Sequence, residues 1–186
     1  MKPYYLTTPI YYVNDKPHIG HAYTTLACDV LARFKRLDGY SVKFLSGTDE
    51  HGQKVQAAAE KAGVSPQEFT DTVSQNFRDL LVVMNFSNDQ FIRTTEPRHY
   101  KSCQAIWKRL MDKGFITLGK YEGWYSVRDE AFFTETELVD GKAPTGAPVS
   151  WVEEPSYFFN LSEWQQPLLD YYEANPDFIA PESKRK

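Results

Sequence analysis

The residues with the most chemical potential come early, in the run His18-Ile19-Gly20-His21. Two imidazoles three positions apart share one face if the segment is helical. At a helix N-terminus they add ring donors to the partial positive charge and free N–H groups of the first turn. Gly20 leaves open the space where a side chain would block a ligand. Together these suit phosphate oxygens, although two surface histidines beside an ordinary helix start would have the same spacing. A second run, Gly47-Thr48-Asp49-Glu50-His51-Gly52, offers Asp49 as a carboxylate able to pair with an ammonium group. A solvated acidic turn before a helix uses the same residue types. A third, Thr8-Pro9-Ile10-Tyr11-Tyr12-Val13-Asn14, has the apolar walls and polar handles of a small-ligand pocket. Ordinary core packing by Ile10 and the tyrosines would look the same in composition.

These runs matter only if secondary structure brings them to one place. Tyr4 to Thr8 is aromatic and β-branched and stops at Pro9, which predicts a short buried strand followed by a loop from Ile10 to Pro17. Pro17 suits a helix start. From about Gly20 to Leu37 apolar residues recur at Leu26, Ala27, Val30, Leu31, Phe34 and Leu37, predicting a helix with one buried stripe that ends at Gly39. Val42 to Ser46 reads as the next strand. Strand, helix, strand in this order is a right-handed βαβ unit with parallel strands. It puts His18, His21 and Asp49 at the carboxyl edge of the sheet, where α/β proteins bind ligands.

An alanine-rich helix ends at Gly63, and Ser65-Pro66-Gln67-Glu68 is a capping box for a helix to about Met84. Gln90 to Thr94 reads as a strand and Pro97 to Lys113 as a helix. Residues 115–160 then lose the helical period and become rich in aromatics, Gly, Pro and Thr. Strands are expected at 120–127, 130–136 and 156–161, with a turn-rich loop from Val139 to Val149. Ser162 is expected to cap a last helix through Tyr172, and the sequence stops in the basic run Ser183-Lys184-Arg185-Lys186.

The composition sets outer limits. With 186 residues, 41% hydrophobic and 15% aromatic, the chain is neither disordered nor low in complexity. No apolar run approaches the roughly 20 residues of a membrane helix, and Met1 to Tyr5 lacks a signal layout. Two cysteines, Cys28 and Cys103, cannot make a disulfide framework. A formal charge of -4 argues against a sequence-blind nucleic-acid binder.

Taken together, Pro9 to Asn14, His18 to His21 and Gly47 to Gly52 closely resemble the methionyl-tRNA synthetase family of the class I aminoacyl-tRNA synthetases. His-Ile-Gly-His is the class signature, and the Gly-Thr-Asp-Glu-His-Gly run points to the methionine enzymes. Gly123-Trp124-Tyr125 and Tyr157-Phe158-Phe159 match the family's connective insertion. The resemblance covers essentially the whole chain.

The resemblance implies an α/β fold: the N-terminal half of a Rossmann-like catalytic domain over 1–114, a small β-rich insertion over 115–160, and a helix and tail over 161–186. It implies ATP-dependent methionine–tRNA ligation in the cytoplasm, with methionine, ATP and tRNA as partners, Mg2+ accompanying ATP, and no membrane partner. By the same resemblance His18, Gly20 and His21 contact ATP phosphates. His18 and His21 act in catalysis, Ile10 and Tyr12 line the methionine pocket, and Asp49 holds the ammonium group.

Two departures accompany it. Many family members carry zinc knuckles in the insertion, but here Ser126, Asp129 and Ala143 stand where ligands are expected, so no zinc is expected. Packing by Trp124, Tyr125, Phe132, Phe133 and Trp151 would then hold the insertion. The Lys-Met-Ser-Lys-Ser loop that completes the family's ATP site has no match, so these residues alone are expected to be inactive or nearly so, with an apolar edge left exposed. The rival readings are another class I synthetase or small nucleotidyltransferase, and a non-catalytic or partner-binding module.

Overall fold

A computed structural model describes residues 1–185; Lys186, the last residue of the basic run, lies outside them. The chain divides into two units, Met1–Cys103 and Gln104–Lys186. In the first, β3 (Ser41–Asp49) is the central strand of a parallel sheet. One of its edges pairs with β1 (Pro3–Thr7) and then with β2 (Tyr11–Tyr12), and the other with β4 (Gln90–Arg93).

β2 lies within the stretch expected to be loop. Thr7 pairs with Leu45 and Tyr11 with Thr48, so four residues on one side oppose three on the other. Pro9 has no N–H to give the ladder, and the strand resumes beyond it with one extra residue. The two pieces are joined across this break by Thr8, whose N–H donates to the Leu45 carbonyl at 3.1 Å and whose hydroxyl meets Ser46 Oγ at 2.9 Å.

α1 (Ile19–Leu37) connects β2 to β3, and Pro17 lies just before its cap rather than inside it. The expected apolar stripe is not its buried face. Thr25, Asp29 and Ala32 are buried, while Val30 and Phe34 are more than half exposed. The reason is specific pairing. Asp29 accepts hydrogen bonds from Arg33 (2.7 Å) and from the Ser87 N–H and hydroxyl (2.6 Å each), so a polar seam faces the body of the unit.

α2 (Gln53–Ala62) ends at Gly63. α3 (Pro66–Val83) begins with the Ser65–Glu68 capping box, both of whose hydrogen bonds form. The core gathers Val73, Phe77 and Leu81, one turn apart on α3, with Tyr11, Val13, Val55 and Phe91.

α4 (Pro97–Asp112) leads into the second unit. There β5 (Ile116–Ser126) pairs antiparallel with β6 (Ala131–Phe133) and β7 (Ser150–Phe159) in the order β6-β5-β7. Trp124 and Trp151 are register partners with ring centroids 5.4 Å apart, and Phe132 packs on Tyr121 (4.4 Å) and Tyr125 (4.8 Å). α5 (Ser162–Ala174) follows. Ser162 does not cap it: the cap position is Leu161, and the Ser162 hydroxyl donates to Asn160 Oδ1 at 2.7 Å. No helix among the described residues is long and apolar enough to cross a membrane.

Candidate functional site

The two histidines build the start of α1 from their own side chains. The His18 N–H donates to His21 Nδ1 and the Gly20 N–H donates to His18 Nδ1, each at 3.1 Å. Two unpaired N–H groups of the first turn are thereby satisfied reciprocally, as in a capping box but with imidazoles. A ring nitrogen that accepts carries no proton, so each neutral ring has its proton on Nε2 as a donor. The rings lie with centroids 3.9 Å apart.

The role expected for Gly20 changes accordingly. A Cβ there would meet His18 Cε1 at 2.9 Å, so the glycine makes room for the His18 ring folding back on the turn. His21 sits between aromatic walls, with Tyr11 at 4.7 Å and Phe77 at 5.1 Å, both edge-on. Burial lowers its pKa, and the neighbouring His18 lowers it further, which favours the neutral Nε2–H donor.

The loop of undecided character before α1 resolves into two sides. Tyr11 and Val13 are buried, whereas Ile10 and Tyr12 are about two-fifths exposed. The Tyr11 hydroxyl meets Thr25 Oγ1 at 2.8 Å, and Thr25 in turn donates to the His21 carbonyl at 2.9 Å, tying β2 to the first turns of α1. Burial raises the Tyr11 pKa, keeping the hydroxyl protonated.

Tyr12 is the register partner of half-buried Asp49. Partners in neighbouring strands share a face and successive residues alternate, so Tyr12 and Asp49 lie opposite buried Tyr11 and Thr48. Ile10, Tyr12 and Asp49 are thus separated from the core at one end of the sheet, and the histidines connect to them through the Tyr11-Tyr12 pair. The first glycine of the Asp49 run is fixed by close approach: a Cβ on Gly47 would overlap the Ile92 carbonyl and side chain on β4.

Sequence reasoning missed the other side of this strand end. Glu50, whose side chain is wholly buried, accepts from Arg93 Nε (2.7 Å) and Nη2 (2.9 Å), Thr48 Oγ1 (2.6 Å) and Thr95 Oγ1 (2.5 Å). Burial alone would raise its pKa, but these donors, Arg93 foremost, hold it below the ordinary value. The available signal was alternation: with Asp49 outward, Thr48 and Glu50 must both point inward, and a buried glutamate requires a cation from elsewhere in the chain.

In the second unit, Ser126 is fully buried and Asp129 accepts from its hydroxyl at 2.8 Å and from the Thr145 hydroxyl at 2.6 Å. Arg128 donates to the Thr145 carbonyl at 2.6 Å, and Ala143 and Ala147 are buried beside this turn.

A helix N-terminus capped by two imidazoles, at the carboxyl edge of a parallel sheet, fits the layout of a nucleotide-binding α/β protein. The sequence model of the family described as tRNA synthetases class I (M) matches residues 4–150, and the chain belongs to that family. The methionine–tRNA ligase of Rickettsia conorii is 66% identical over 183 residues, 98% of this chain and 36% of that protein. That of Mesorhizobium japonicum is 57% identical over 187 residues, again 98% of this chain and 36% of that protein. The structure of Mycobacterium tuberculosis methionyl-tRNA synthetase in complex with methionyl-adenylate is similar with a TM-score of 0.90 at 53% identity, over 100% of this chain and 37% of that one. The chain therefore spans a little over a third of the length of these relatives.

Proposed function

We propose that these residues are the N-terminal part of a methionine–tRNA ligase, which joins methionine to ATP as methionyl-adenylate, releases pyrophosphate and passes the methionyl group to tRNA. The observation that carries this reading is the reciprocal histidine cap, with both Nε2 donors left for a ligand at the sheet end that also holds Tyr12 and Asp49.

Attack of the methionine carboxylate on the α-phosphorus concentrates negative charge on phosphate oxygens. The Nε2–H groups of His18 and His21, fixed before the ligand arrives, stabilise that charge more in the transition state than in the ground state. Gly20 serves by admitting the His18 ring. Asp49 takes the ammonium group of methionine, with Ile10 and Tyr12 along its side chain. Pocket shape then selects the unbranched thioether, each methylene counting for about 1–3 kcal/mol. Mg2+ enters as the partner of ATP.

We keep the organisation expected from the sequence as part of the proposal: catalytic half to 114, insertion over 115–160, helix and tail beyond. Ser126, Asp129, Ala143 and Ala147 do not suit zinc, because they supply one carboxylate and one hydroxyl, both already engaged, and two methyl groups. We place the enzyme in the cytoplasm without a membrane partner, and expect the 186 residues alone to be inactive or nearly so.

Methionine-dependent ATP–pyrophosphate exchange by the whole protein, followed by charging of tRNA with methionine, tests the reading. Exchange driven by isoleucine or cysteine and not by methionine would overturn its specificity. No exchange with any amino acid by the folded whole protein would overturn the reaction and favour a binding module.

A further inference from the structure

We propose that Glu50, clamped by Arg93, is the positioning residue that aims the Asp49 carboxylate at the substrate's ammonium group; this rests on the role proposed for Asp49 above. Asp49 is the last residue of β3. On one side its strand pairs with Tyr12, but on the other the ladder to β4 ends one residue earlier, at Thr48 and Arg93. The Asp49 peptide would therefore be held from one side only.

The residues on either side of Asp49 make up the difference. The Thr48 carbonyl accepts from the Thr94 N–H at 3.3 Å, and its hydroxyl is shared between Glu50 Oε1 and Ser74 Oγ (3.3 Å) on α3. The Glu50 N–H donates to Thr94 Oγ1 at 2.9 Å, a side chain standing in for a strand carbonyl. Beyond this the Glu50 carboxylate closes on Arg93 and Thr95. Arg93 extends the clamp to α3 through Asp71, with Nη2 to Oδ1 at 2.6 Å. Asp49 is left as the one residue of the three whose side chain points the other way, between two neighbours locked to β4 and α3.

A stability role alone does not account for this arrangement. A buried ion pair gains little over apolar residues of similar volume, because both charges must leave water. What a bidentate pair supplies is direction, since the planar guanidinium fits the carboxylate in one geometry. A carboxylate that is to recognise one ammonium group must be held to within about 0.5 Å and 10–20°. The clamp acts on the two peptides that set this.

The test uses the whole protein and two ligands, methionine and its analogue lacking the amino group, 4-(methylthio)butanoate, the first followed by pyrophosphate exchange and the second as a competitive inhibitor. The proposal expects Glu50→Gln to raise KM for methionine about tenfold, with KM for ATP within about twofold of wild type, and to leave analogue inhibition nearly unchanged. The preference for methionine over the analogue then shrinks. Thr95→Val, which removes one donor and keeps the ion pair, should give a smaller shift of the same kind, and it decides the matter if Glu50→Gln does not fold. Equal rises for methionine, ATP and analogue in a folded variant would overturn the proposal, as would unchanged constants. Asp49→Asn separates the two levels. If it keeps the wild-type preference, the ammonium role itself fails. If it loses the preference while Glu50→Gln keeps it, only the clamp fails.

Discussion

The two units keep their shapes by opposite means. Residues 1–103 bury acids: Asp29 and Glu50 are at most 5% exposed, each surrounded by donors from distant parts of the chain. In residues 104–185, Ser126 is the buried polar residue among those described, and no acid there is buried. Aromatic pairs along β5 and its neighbours do the work instead, with half-exposed Trp151 across from Trp124. Apolar packing is non-directional, so it is enough to hold a surface. A hydrogen-bonded buried charge fixes angles as well as position. The unit with candidate chemistry is the one that accepts the desolvation cost of such charges, and the difference marks where orientation matters.

The comparison is broken most directly at Phe77, which is both core and wall for His21. Phe77→Ala in the whole protein should cost about 3–5 kcal/mol in denaturant unfolding. Hydrogen exchange should show protection lost over 1–103 and retained across β5 and β7. Loss in both units together would mean that they do not differ in the way described. Next in size, His21→Ala should lower the adenylation rate about 10²–10³-fold, as removal of one preorganised donor does, with methionine affinity little changed. Equal losses in rate and in methionine affinity would remove the transition-state role.

A pH experiment sharpens the contrast. The Glu50 pKa is lowered in the fold, its donors outweighing burial, and so is that of Asp29, where Ser87 and Arg33 outweigh it. For a lowered carboxylate the unfolded chain binds more protons at acid pH. The stabilisation is therefore fully present above the unfolded values, about 4, and is lost as pH falls through the folded values. The first unit should lose stability steeply below about pH 4, and Glu50→Gln should flatten that slope. In the second unit, Asp129 is lowered too, by the Thr145 and Ser126 hydroxyls, and Glu137 by the Thr134 hydroxyl and N–H; neither is a buried acid, and solvent screening leaves them a shallower dependence. Acid unfolding followed at the Trp124–Trp151 pair and by backbone probes in β3 would show the two slopes, and identical slopes would contradict the comparison.

Most elements of the first unit were legible because they carry local punctuation: Ser65 and Glu68 for α3, Gly63 behind α2, Pro9 after β1, although β1 is not the buried strand expected, since none of Pro3–Thr7 is buried and Tyr5 is 64% exposed. The position of the candidate site followed from the βαβ order. What could not be read was decided by partners far along the chain. The buried face of α1 follows Asp29 and its bond to Ser87, 58 residues away, rather than the apolar spacing, so Val30 and Phe34 lie outward against expectation. Glu50 needed Arg93, 43 residues on. Gly20 reads as space for a ligand until the His18 ring is seen to occupy it. Ser162 has the composition of a cap, but Asn160 takes its hydroxyl.

The smallest effect expected belongs to the turn in the second unit that joins Ser126, Asp129 and Thr145. Asp129 gathers the Ser126 and Thr145 hydroxyls, which joins the end of β5 to the loop after residue 139. If that carboxylate does the joining, a chelator should leave the unfolding midpoint unchanged, whereas Asp129→Asn should speed proteolytic cleavage between 139 and 149. The effect should be slight, because Asp129 is near solvent and the strands keep their aromatic pairs. A midpoint that falls on chelation would mean that a metal shares the task. Cleavage unchanged in Asp129→Asn would mean that the aromatic ladder holds the turn unaided, and that the second unit relies on packing even more completely than its hydrogen bonds suggest.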